Sequence, residues 1–486
     1  MGHIFTDYRP EKVWQYFEAI TKIPRRSGNE AGMSDYLLAF AKDRGLVAYR
    51  DEYFNTVIKK QATKGYEKSN TVIIQGHLDM VCEKNSDIIF DFEKDALNLK
   101  IVDGWLTAEG TTLGADNGIA IAFALALLDS DDVAHPALEI VMTTDEEVGM
   151  TGALNMDTSS LKGKTFLNID SEEEGELVVS CAGGLKAYIE YPVESDDLLT
   201  EGRILMEVVV KGLLGGHSGV EIDQNRGNAI KILGRVLNDI NNAVDMNIVD
   251  IYGGMKDNVI PREASAFVLI PAFDEDLFAG VIEKTRLEVS NEYLHTDPNI
   301  TIVYEDIECE SSINAIPRDQ TDTAIFLLNA LPNGILAMSQ NIPDLVETSL
   351  NLGVVKLKDG FIKYVFATRS SIDSKKAQMT KMLELIAKQT GSDFEVTSEY
   401  PGWDVRTESP LLEKSIAVYK TLYGKEPLVK GIHAGLESGV FLKKLKDADA
   451  ISFGPDMESV HSPDERLSMA STERVWDYLV ALLKSL

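Results

Sequence analysis

Three short apolar segments constrain the fold of this chain more than any other feature. The runs TVIIQG (71–76), ALEIVMTT (137–144) and TFLNID (165–170) end in polar residues, and the first two hold β-branched residues at their centres, as buried strands do. The alanine-rich run 118–128 predicts a helix between the first two. Alternating strands and helices are typical of a largely parallel sheet. Residues 1–185 are therefore predicted to form an α/β domain.

The pattern changes over residues 186–397. The elements predicted there are strands at 203–211, 264–270, 299–306, 353–358 and 361–368, and helices at 226–244, 277–294 and 375–389. Asp359-Gly360 between the last two strands is a strong hairpin signal. Few of these strands are flanked by helices on both sides. This favours a separate α+β domain, an antiparallel sheet with helices on one face.

The α/β pattern returns over residues 398–486. A strand is predicted at 450–453, followed by a C-terminal helix for which Ser471 or Thr472 is the expected N-cap. A chain of 486 residues is longer than one hydrophobic core usually supports. The simplest layout is one α/β domain, formed by the first and last parts of the chain, with an inserted α+β domain.

Charge and cysteine content limit the partners and the compartment. The chain holds 47 Lys and Arg against 78 Asp and Glu, a formal net charge of −31 at pH 7. Such a chain repels nucleic-acid phosphates and anionic membrane surfaces, so we expect neither as a partner. Three widely spaced cysteines argue against a disulfide framework. Without a signal peptide or an apolar run approaching the roughly 20 residues of a membrane span, a cytoplasmic protein is expected.

Five segments place His, Asp or Glu after a predicted strand, at the start of a predicted helix or in a late loop. In an open α/β sheet the carboxyl ends of the strands line a common crevice, where ligands bind. Each segment alone has an ordinary explanation, such as a helix N-cap at Asp116 or an exposed acidic turn at 145–147. Together they offer two imidazoles and three carboxylates. The five residues are His77, Asp116, Glu147, Asp170 and His461.

This donor set predicts two metal ions. A shared aspartate would leave each ion one imidazole and one further carboxylate, which suits zinc, with manganese or cobalt as substitutes. Two such ions polarise a carbonyl and lower the pKa of water, so the predicted reaction class is metal-assisted hydrolysis. Asp79 can orient the imidazole of His77. Of the adjacent Glu146 and Glu147, one is expected to bind metal and the other to transfer protons.

The predicted inserted domain carries three further candidates. His217 lies in GGHSG (215–219), where glycines let the backbone approach a ligand and the imidazole could donate to a developing oxyanion. Arg369 follows the predicted strand YVFAT and could bind a carboxylate through two hydrogen bonds. Asn258 lies in DNVIP. An ordinary surface position is the alternative for each.

Taken in order, the motifs are similar to those of a known family. The chain resembles aminoacyl-histidine dipeptidases, also called Xaa-His or cytosol non-specific dipeptidases, in QGHLDMV, LGADNGIA, TTDEEVGMTGA, NIDSEEEGE, GGHSG and HAGLESG. These enzymes belong to the co-catalytic zinc exopeptidases, a superfamily that includes aminoacylase and carboxypeptidase G. The resemblance covers essentially the whole chain. It implies a zinc-exopeptidase (phosphorylase/hydrolase-like) catalytic domain with an inserted α+β lid domain.

The resemblance also implies a role for each candidate residue. Asp116 would bridge two Zn²⁺ ions, with the other four metal ligands completing the coordination. Asp79 would orient His77, while Glu146 would act as general base and then as acid toward the leaving amine. His217 would stabilise the tetrahedral intermediate. The residues implied in substrate binding are Asn258, Arg369, His433 and Gly435, the last two from HAGLESG.

The expected substrate is a small dipeptide, Xaa-His or another unblocked one, and the expected assembly is a homodimer. One alternative is an N-acyl-amino-acid deacylase or desuccinylase with the same two metals. A dipeptidase should require a free α-amino group in its substrate, whereas a deacylase should reject it. Further alternatives are a non-catalytic metal-binding protein, against which an unligated Glu146 argues, and an acidic binding module without metal.

Overall fold

The chain folds into two units, which separate the two sequence patterns. The computed structural model describes Phe5 and residues 8–486. Of these described residues, unit 1 holds those up to 181 together with 403–431 and 436–486, and unit 2 holds residues 182–402 and 432–435. The insert predicted at 186–397 lies inside unit 2. Residues 432–435, which we placed in the last segment, are also part of unit 2.

Unit 1 contains both helices and strands, numbered here along the whole chain. Its helices are α1 (Glu11–Ile20), α2 (Ala31–Asp43), α3 (Ala115–Leu128), α4 (Glu146–Gly149), α5 (Thr151–Asn155), α10 (Pro410–Tyr423), α11 (Glu437–Lys444) and α12 (Met469–Ser485). Its strands are β1 (Val47–Arg50), β2 (Thr56–Lys60), β3 (Val72–His77), β4 (Leu99–Val102), β5 (Trp105–Ala108), β6 (Leu138–Thr143), β7 (Thr165–Asn168), β8 (Glu176–Cys181), β22 (Leu428–Ile432), β23 (Asp449–Ser452), β24 (Met457–Glu458) and β25 (Arg466–Ser468).

The apolar runs that predict strands form the centre of an eight-stranded sheet in the order β1-β2-β6-β3-β7-β23-β8-β22. The central strands β6, β3, β7 and β23 are parallel. Antiparallel pairs join β1 to β2, β2 to β6 and β8 to β23, so the sheet is mixed. Every residue of β3 and β6 is buried, as expected of central strands covered on both faces.

Helix α3 is the most apolar helix in the core of unit 1. All of its residues except Asp116 are buried. It packs against α1 and against β3. Because Asp116 is the one partly exposed residue at the start of a buried helix, its carboxylate is left available at the end of the sheet. Mixed α/β architecture, the predicted fold class, is confirmed in this unit.

Unit 2 is built mainly from long strands. Its strands are β9 (Gly183–Pro192), β10 (Asp196–Leu199), β11 (Arg203–Lys211), β12 (Gly216–His217), β13 (Asn247–Gly253), β14 (Val259–Ile260), β15 (Ala264–Pro271), β16 (Thr301–Ile307), β17 (Ser312–Ala315), β18 (Gly334–Met338), β19 (Val346–Lys358), β20 (Phe361–Ser370) and β21 (Asp393–Tyr400). Its helices are α6 (Ala229–Ala243), α7 (Glu275–Glu292), α8 (Arg318–Ala330) and α9 (Asp373–Thr390). Two single turns of 3₁₀ helix lie at Ile222–Gln224 and Ala272–Asp274.

The larger sheet of unit 2 has nine strands in the order β16-β11-β15-β13-β19-β20-β9-β21, with β18 paired to β19, and its described registers are antiparallel. Alternate residues such as Val208 and Phe366 are buried in one core with residues of α6 to α9. On the other face, Glu207 accepts a hydrogen bond from Ser265 at 2.7 Å. This alternation gives the predicted antiparallel sheet with helices on one face. The predicted hairpin at Asp359-Gly360 is confirmed, and both residues have positive φ.

The predicted start of the C-terminal helix is wrong. Helix α12 begins at Met469, and its N-cap is Ser468, whose side chain accepts the backbone N–H of Ser471. Ser471 and Thr472 are inside the first turn. The Ser471 hydroxyl accepts the N–H of Asp456, and the Thr472 hydroxyl donates to the carbonyl of Ser468. Tertiary contacts therefore select one hydroxyl among three neighbours.

No helix among Phe5 and residues 8–486 combines the length and the apolar character needed to cross a lipid bilayer.

Asn228 is expected to stabilise unit 2 through its side chain. The helix predicted at 226–244 begins at Ala229, because the Asn228 side chain caps it by accepting the N–H groups of Ile230 and Lys231. We expect Asn228→Ala to lower the free energy of unfolding by about 1–2 kcal/mol, measured by chemical denaturation. The control is Asn242→Ala in the exposed last turn of α6, with an expected change below about 0.5 kcal/mol. Equal losses in the two variants would contradict this role.

Candidate metal centre

The carboxyl ends of the parallel strands bring the predicted ligands of unit 1 to one edge of the sheet. His77 is the last residue of β3 and pairs with Thr143, the last residue of β6. Helix α4, which carries both glutamates, begins just after β6, and Asp170 follows the end of β7. His461 lies in the turn between the short strands β24 and β25. Parallel register therefore places residues from distant parts of the sequence together.

Asp116 lies between the two imidazoles. Its Oδ1 is 2.9 Å from Nε2 of His77, and its Oδ2 is 3.0 Å from Nε2 of His461. The two oxygens of one carboxylate thus face different ligand groups. This is the arrangement that a bridging carboxylate requires.

Two donor groups share this aspartate. In the first, Oδ1 of Asp170 is 3.4 Å from Nε2 of His77. In the second, Oε1 of Glu147 is 3.1 Å from Nε2 of His461. All donor atoms within each group lie within 4.8 Å of one another. Each group supplies one imidazole and two carboxylates, which fits a divalent ion such as zinc.

Glu146 lies beside these groups, and a third set of donor atoms joins it to His77 and Glu147. Burial and the negative charges of Asp170 and Glu437, against the opposing effect of His77, raise the pKa of Glu146 well above its usual range.

Asp79 connects His77 to the glutamates. Its Oδ1 is 3.3 Å from Nδ1 of His77, the ring nitrogen that faces away from Asp116. The same carboxylate accepts the backbone N–H groups of Glu146 at 3.1 Å and Glu147 at 3.2 Å. Ser27 donates its hydroxyl to Asp79 at 2.8 Å. One buried carboxylate thereby orients the imidazole and fixes the first turn of α4.

The pKa values of Asp170 and Asp116 shift in opposite directions. Burial raises the pKa of Asp170 to about 6, although His77 opposes this effect. Burial acts in the same direction on Asp116, but the hydrogen bonds from His461 and His77 hold its pKa well below the usual range. Contacts with Asp116 and Glu147 raise the pKa of His461 to about 11. Excess negative charge is thus concentrated here, which favours cation binding.

Glu437 lies under the same edge of the sheet. It is fully buried at the start of α11, where Oε2 accepts hydrogen bonds from Thr143 and Gln75. Gln75 in turn accepts the side-chain amide of Asn168 at 2.7 Å. This chain of hydrogen bonds joins β3, β6, β7 and α11 directly beneath the predicted ligands.

The candidates of unit 2 also lie close together. His217 in β12 pairs with Val259 in β14, and the N–H of Ser218 donates to the carbonyl of Asn258 at 2.9 Å. His433 is buried, and its Nε2 is 2.7 Å from the Ser349 hydroxyl. On the neighbouring strand, Arg369 pairs directly with Ser349.

Charge distinguishes this cluster from the acids of unit 1. Burial, together with the charge of Arg369, lowers the pKa of His433 to about 3. Burial and Arg369 also lower the pKa of His217. Both imidazoles are therefore neutral at neutral pH beside one guanidinium. Such a cluster can donate hydrogen bonds to an anion or to a carbonyl oxygen.

Some residues of these clusters carry no recognisable sequence signal. Ser27 donates to Asp79, and Ser349 contacts His433, but neither stands in a recognisable motif. Glu437 does stand in HAGLESG, although that motif gave it no role. Gly435 is half-buried in the connection between β22 and α11. Among the described contacts, no hydrogen bond joins Gly435 to the other predicted substrate-binding residues.

Comparison with known proteins identifies the family of this chain. Residues 73–485 match the model of peptidase family M20/M25/M40. Over 477 residues, which are 98% of each chain, the sequence is 37% identical to the cytosol non-specific dipeptidase of Escherichia coli (strain K12).

Solved structures show the same similarity. Aminoacylhistidine dipeptidase from Vibrio alginolyticus matches with a TM-score of 0.92 and 37% identity, covering 99% of this chain and 98% of that one. Aminopeptidase PepT from Bacillus cereus ATCC 10987 shares the fold, with a TM-score of 0.55 and 17% identity over 98% of each chain. The resemblance predicted from the motifs is confirmed. The chain belongs to peptidase family M20/M25/M40.

Proposed function

We propose that this protein is a two-metal dipeptidase that hydrolyses unblocked dipeptides, including Xaa-His dipeptides such as β-Ala-His. The position of Asp116 carries the proposal, because its two carboxylate oxygens face separate imidazole-containing donor groups. The full-length similarity to a cytosol non-specific dipeptidase and to an aminoacylhistidine dipeptidase supports the substrate class.

We assign two Zn²⁺ ions to the donor groups, with Mn²⁺ or Co²⁺ as substitutes. Imidazole nitrogen and carboxylate oxygen are donors that zinc prefers. When bound, two such ions polarise the scissile carbonyl and lower the pKa of water. The proposed ligands are His77, Asp116, Glu147, Asp170 and His461.

Glu146 is the proposed general base. It takes a proton from the attacking water and later gives a proton to the leaving amine, so that proton balance is kept through hydrolysis. Burial among other acids raises its pKa, which suits a carboxylate that must hold a proton between the two steps. Asp79 keeps it in place by accepting the backbone N–H of Glu146.

Exchange of one glutamate at a time separates these roles. We expect Glu146→Gln to retain about two zinc ions per chain and to lose about 10²–10⁴-fold or more in the rate of Ala-His cleavage. Glu147→Gln should lose zinc affinity, because it removes a charged ligand. The measurements are metal content after desalting and kcat for Ala-His. Full activity in Glu146→Gln would contradict the mechanism, and an active, metal-free wild type would contradict the class of enzyme.

The cluster in unit 2 supplies the proposed substrate contacts. His217, which is neutral, donates to the developing oxyanion. Arg369 and Asn258 bind the terminal carboxylate or the backbone of the dipeptide. His433 and Gly435 complete the proposed substrate-binding set. The charge of Arg369 beside two neutral imidazoles supports an anionic group of the substrate as the partner of this cluster.

Dipeptides blocked at the amino or the carboxyl end test the assignment of these substrate contacts. We expect cleavage of Ala-His, slow or no cleavage of N-acetyl-Ala-His, and a raised KM for the C-terminal amide of Ala-His. Arg369→Met should raise the KM for Ala-His roughly 10–100-fold, since hydrogen bonds to a charged group contribute about 1.5–3 kcal/mol. It should leave the KM for the amide nearly unchanged.

Arg286→Met is the matched control, because Arg286 pairs with Glu283 on the surface of α7 in the same unit. Equal KM changes in the two arginine variants would contradict the role of Arg369. Preference for N-acylated substrates would instead favour the deacylase alternative.

We also propose that the protein is cytoplasmic and forms a homodimer. Three free cysteines among the described residues are compatible with a reducing compartment, and a relative is named a cytosol dipeptidase. The resemblance to homologous exopeptidases supports the dimer. Sedimentation velocity at micromolar concentration should give twice the mass of one chain. A single species with the mass of one chain would contradict the dimer.

A further inference from the structure

The turn that carries Asp116 is held by a buried carboxylate from a distant part of the chain. This turn, residues 113–116, leads into α3 and includes its first two residues. The Glu465 carboxylate accepts the N–H groups of Leu113 at 2.8 Å and Gly114 at 2.9 Å on Oε2. Its Oε1 accepts those of Ala115 at 2.8 Å and Asp116 at 3.4 Å. Glu465 is 2% exposed, so these four amides replace the water that a carboxylate would otherwise bind.

A buried guanidinium binds the same turn through its carbonyl group. Arg25, also 2% exposed, donates Nη2 to the carbonyl of Gly114. Its Nη1 donates to the carbonyls of Leu78 at 3.0 Å and Asp79 at 2.8 Å. The guanidinium therefore joins the turn to the segment that follows His77. A planar fork of donors can make these contacts together, whereas a single ammonium group cannot.

The position of the Arg25 guanidinium explains why two nearby residues are glycine. Gly114 has a φ of +66°, and a Cβ there would lie 2.6 Å from Nη2 of Arg25. A Cβ at Gly118 would lie 2.7 Å from the same atom. The sequence LGADNG thus leaves room for the guanidinium at the start of α3.

These contacts bear on the bridging aspartate. To serve two ions, its Oδ1 must face His77 while its Oδ2 faces His461, which leaves the carboxylate little rotational freedom. Glu465 fixes the backbone of Asp116 and is four residues from His461 in sequence. Arg25 fixes the same turn against the segment after His77. Arg25 and Glu465 therefore connect the turn 113–116, the segment that follows His77 and the segment that carries His461.

We propose that Arg25 and Glu465 are positioning residues that set the metal-binding geometry of Asp116, an inference that rests on the proposed two-metal function. Both act through backbone groups, and their described hydrogen bonds reach no side chain of a candidate metal ligand. Residues that orient a ligand typically contribute 10–100-fold to metal affinity. Loss of either should therefore weaken zinc binding more than the loss of an equally buried charge elsewhere in unit 1.

The test is zinc affinity, measured on the full-length protein by competition with a chromophoric chelator. We expect Glu465→Gln to raise the dissociation constant of the weaker zinc ion about 10–100-fold. An amide has only one acceptor oxygen, so it cannot accept all four N–H groups. Saturating zinc should restore kcat for Ala-His to within a few-fold of wild type, because the proton-transfer residue and all ligands remain.

Glu139→Gln is the matched control. Glu139 is 3% exposed on β6, and its carboxylate accepts the N–H groups of Lys162 at 2.8 Å and Gly163 at 3.0 Å, together with Nζ of Lys59 at 2.9 Å. It lies near the start of β6, whereas the candidate ligands follow its end. This variant should lower the midpoint of thermal unfolding and leave zinc affinity within two-fold of wild type.

Gly118→Ala gives a second measurement if Glu465→Gln does not fold. Alanine favours a helix, but its Cβ must displace the guanidinium of Arg25, so zinc affinity should fall without removal of any charge. Unchanged zinc affinity in the folded Glu465→Gln variant, or in Gly118→Ala, would overturn this inference alone. A wild type that binds no zinc would overturn the proposed function and this inference with it.

Discussion

The contact on which the candidate site depends is that of one carboxylate with two imidazoles. Asp116 places one oxygen 2.9 Å from His77 and the other 3.0 Å from His461. These two histidines are separated by most of the chain, so the contact joins segments that lie far apart in the sequence. The parallel sheet supplies one of them at the end of β3, and the turn between β24 and β25 supplies the other. The remaining acids are arranged around this central contact.

Collecting acids at a buried edge is electrostatically costly. Each carboxylate loses hydration, and each raises the pKa of its neighbours. Unit 1 offsets part of the cost with hydrogen bonds from backbone N–H groups, as at Asp79, which accepts two of them. Asp170 and Glu146 keep raised pKa values, so the offset by protein groups is incomplete at those positions. A bound divalent cation would offset the remaining electrostatic cost of these carboxylates. This is the physical reason why such a cluster of acids favours metal ions.

Much of this arrangement could be predicted from the sequence. Apolar runs with β-branched centres predicted β3 and β6, and Asp359-Gly360 predicted the hairpin, because local residue preferences determine those elements. The candidate ligands could be chosen because chemistry restricts a metal ligand to a few residue types. Parallel register brings together the residues that follow β3, β6 and β7. Asp116 at the start of α3 and His461 between β24 and β25 reach them through tertiary packing, which no local pattern specifies.

Arg25 and Glu465 could not be predicted in this way, for a physical reason. Both bind backbone amides and carbonyls, which every residue has, so the partner sequence carries no complementary signal. The N-cap of α12 was missed for a related reason. Ser468, Ser471 and Thr472 are all suitable caps locally. The choice depends on contacts with Asp456, which lies outside the helix in sequence and hydrogen-bonds Ser468 and Ser471 in the fold. Residues 432–435 join unit 2 through packing that no local pattern records.

The two clusters differ in the charge that they can accept. Unit 1 collects carboxylates and suits cations. In unit 2, burial keeps His217 and His433 neutral beside the charged Arg369, so this cluster suits an anion or a polarised carbonyl. An unblocked dipeptide is a small zwitterion with a carbonyl between its charged ends. Hydrolysis of such a substrate calls for a group that accepts protons, a cation that polarises the carbonyl and a donor for the carboxylate. The roles proposed for Glu146, for the five candidate ligands of unit 1 and for Arg369 of unit 2 correspond to these three requirements.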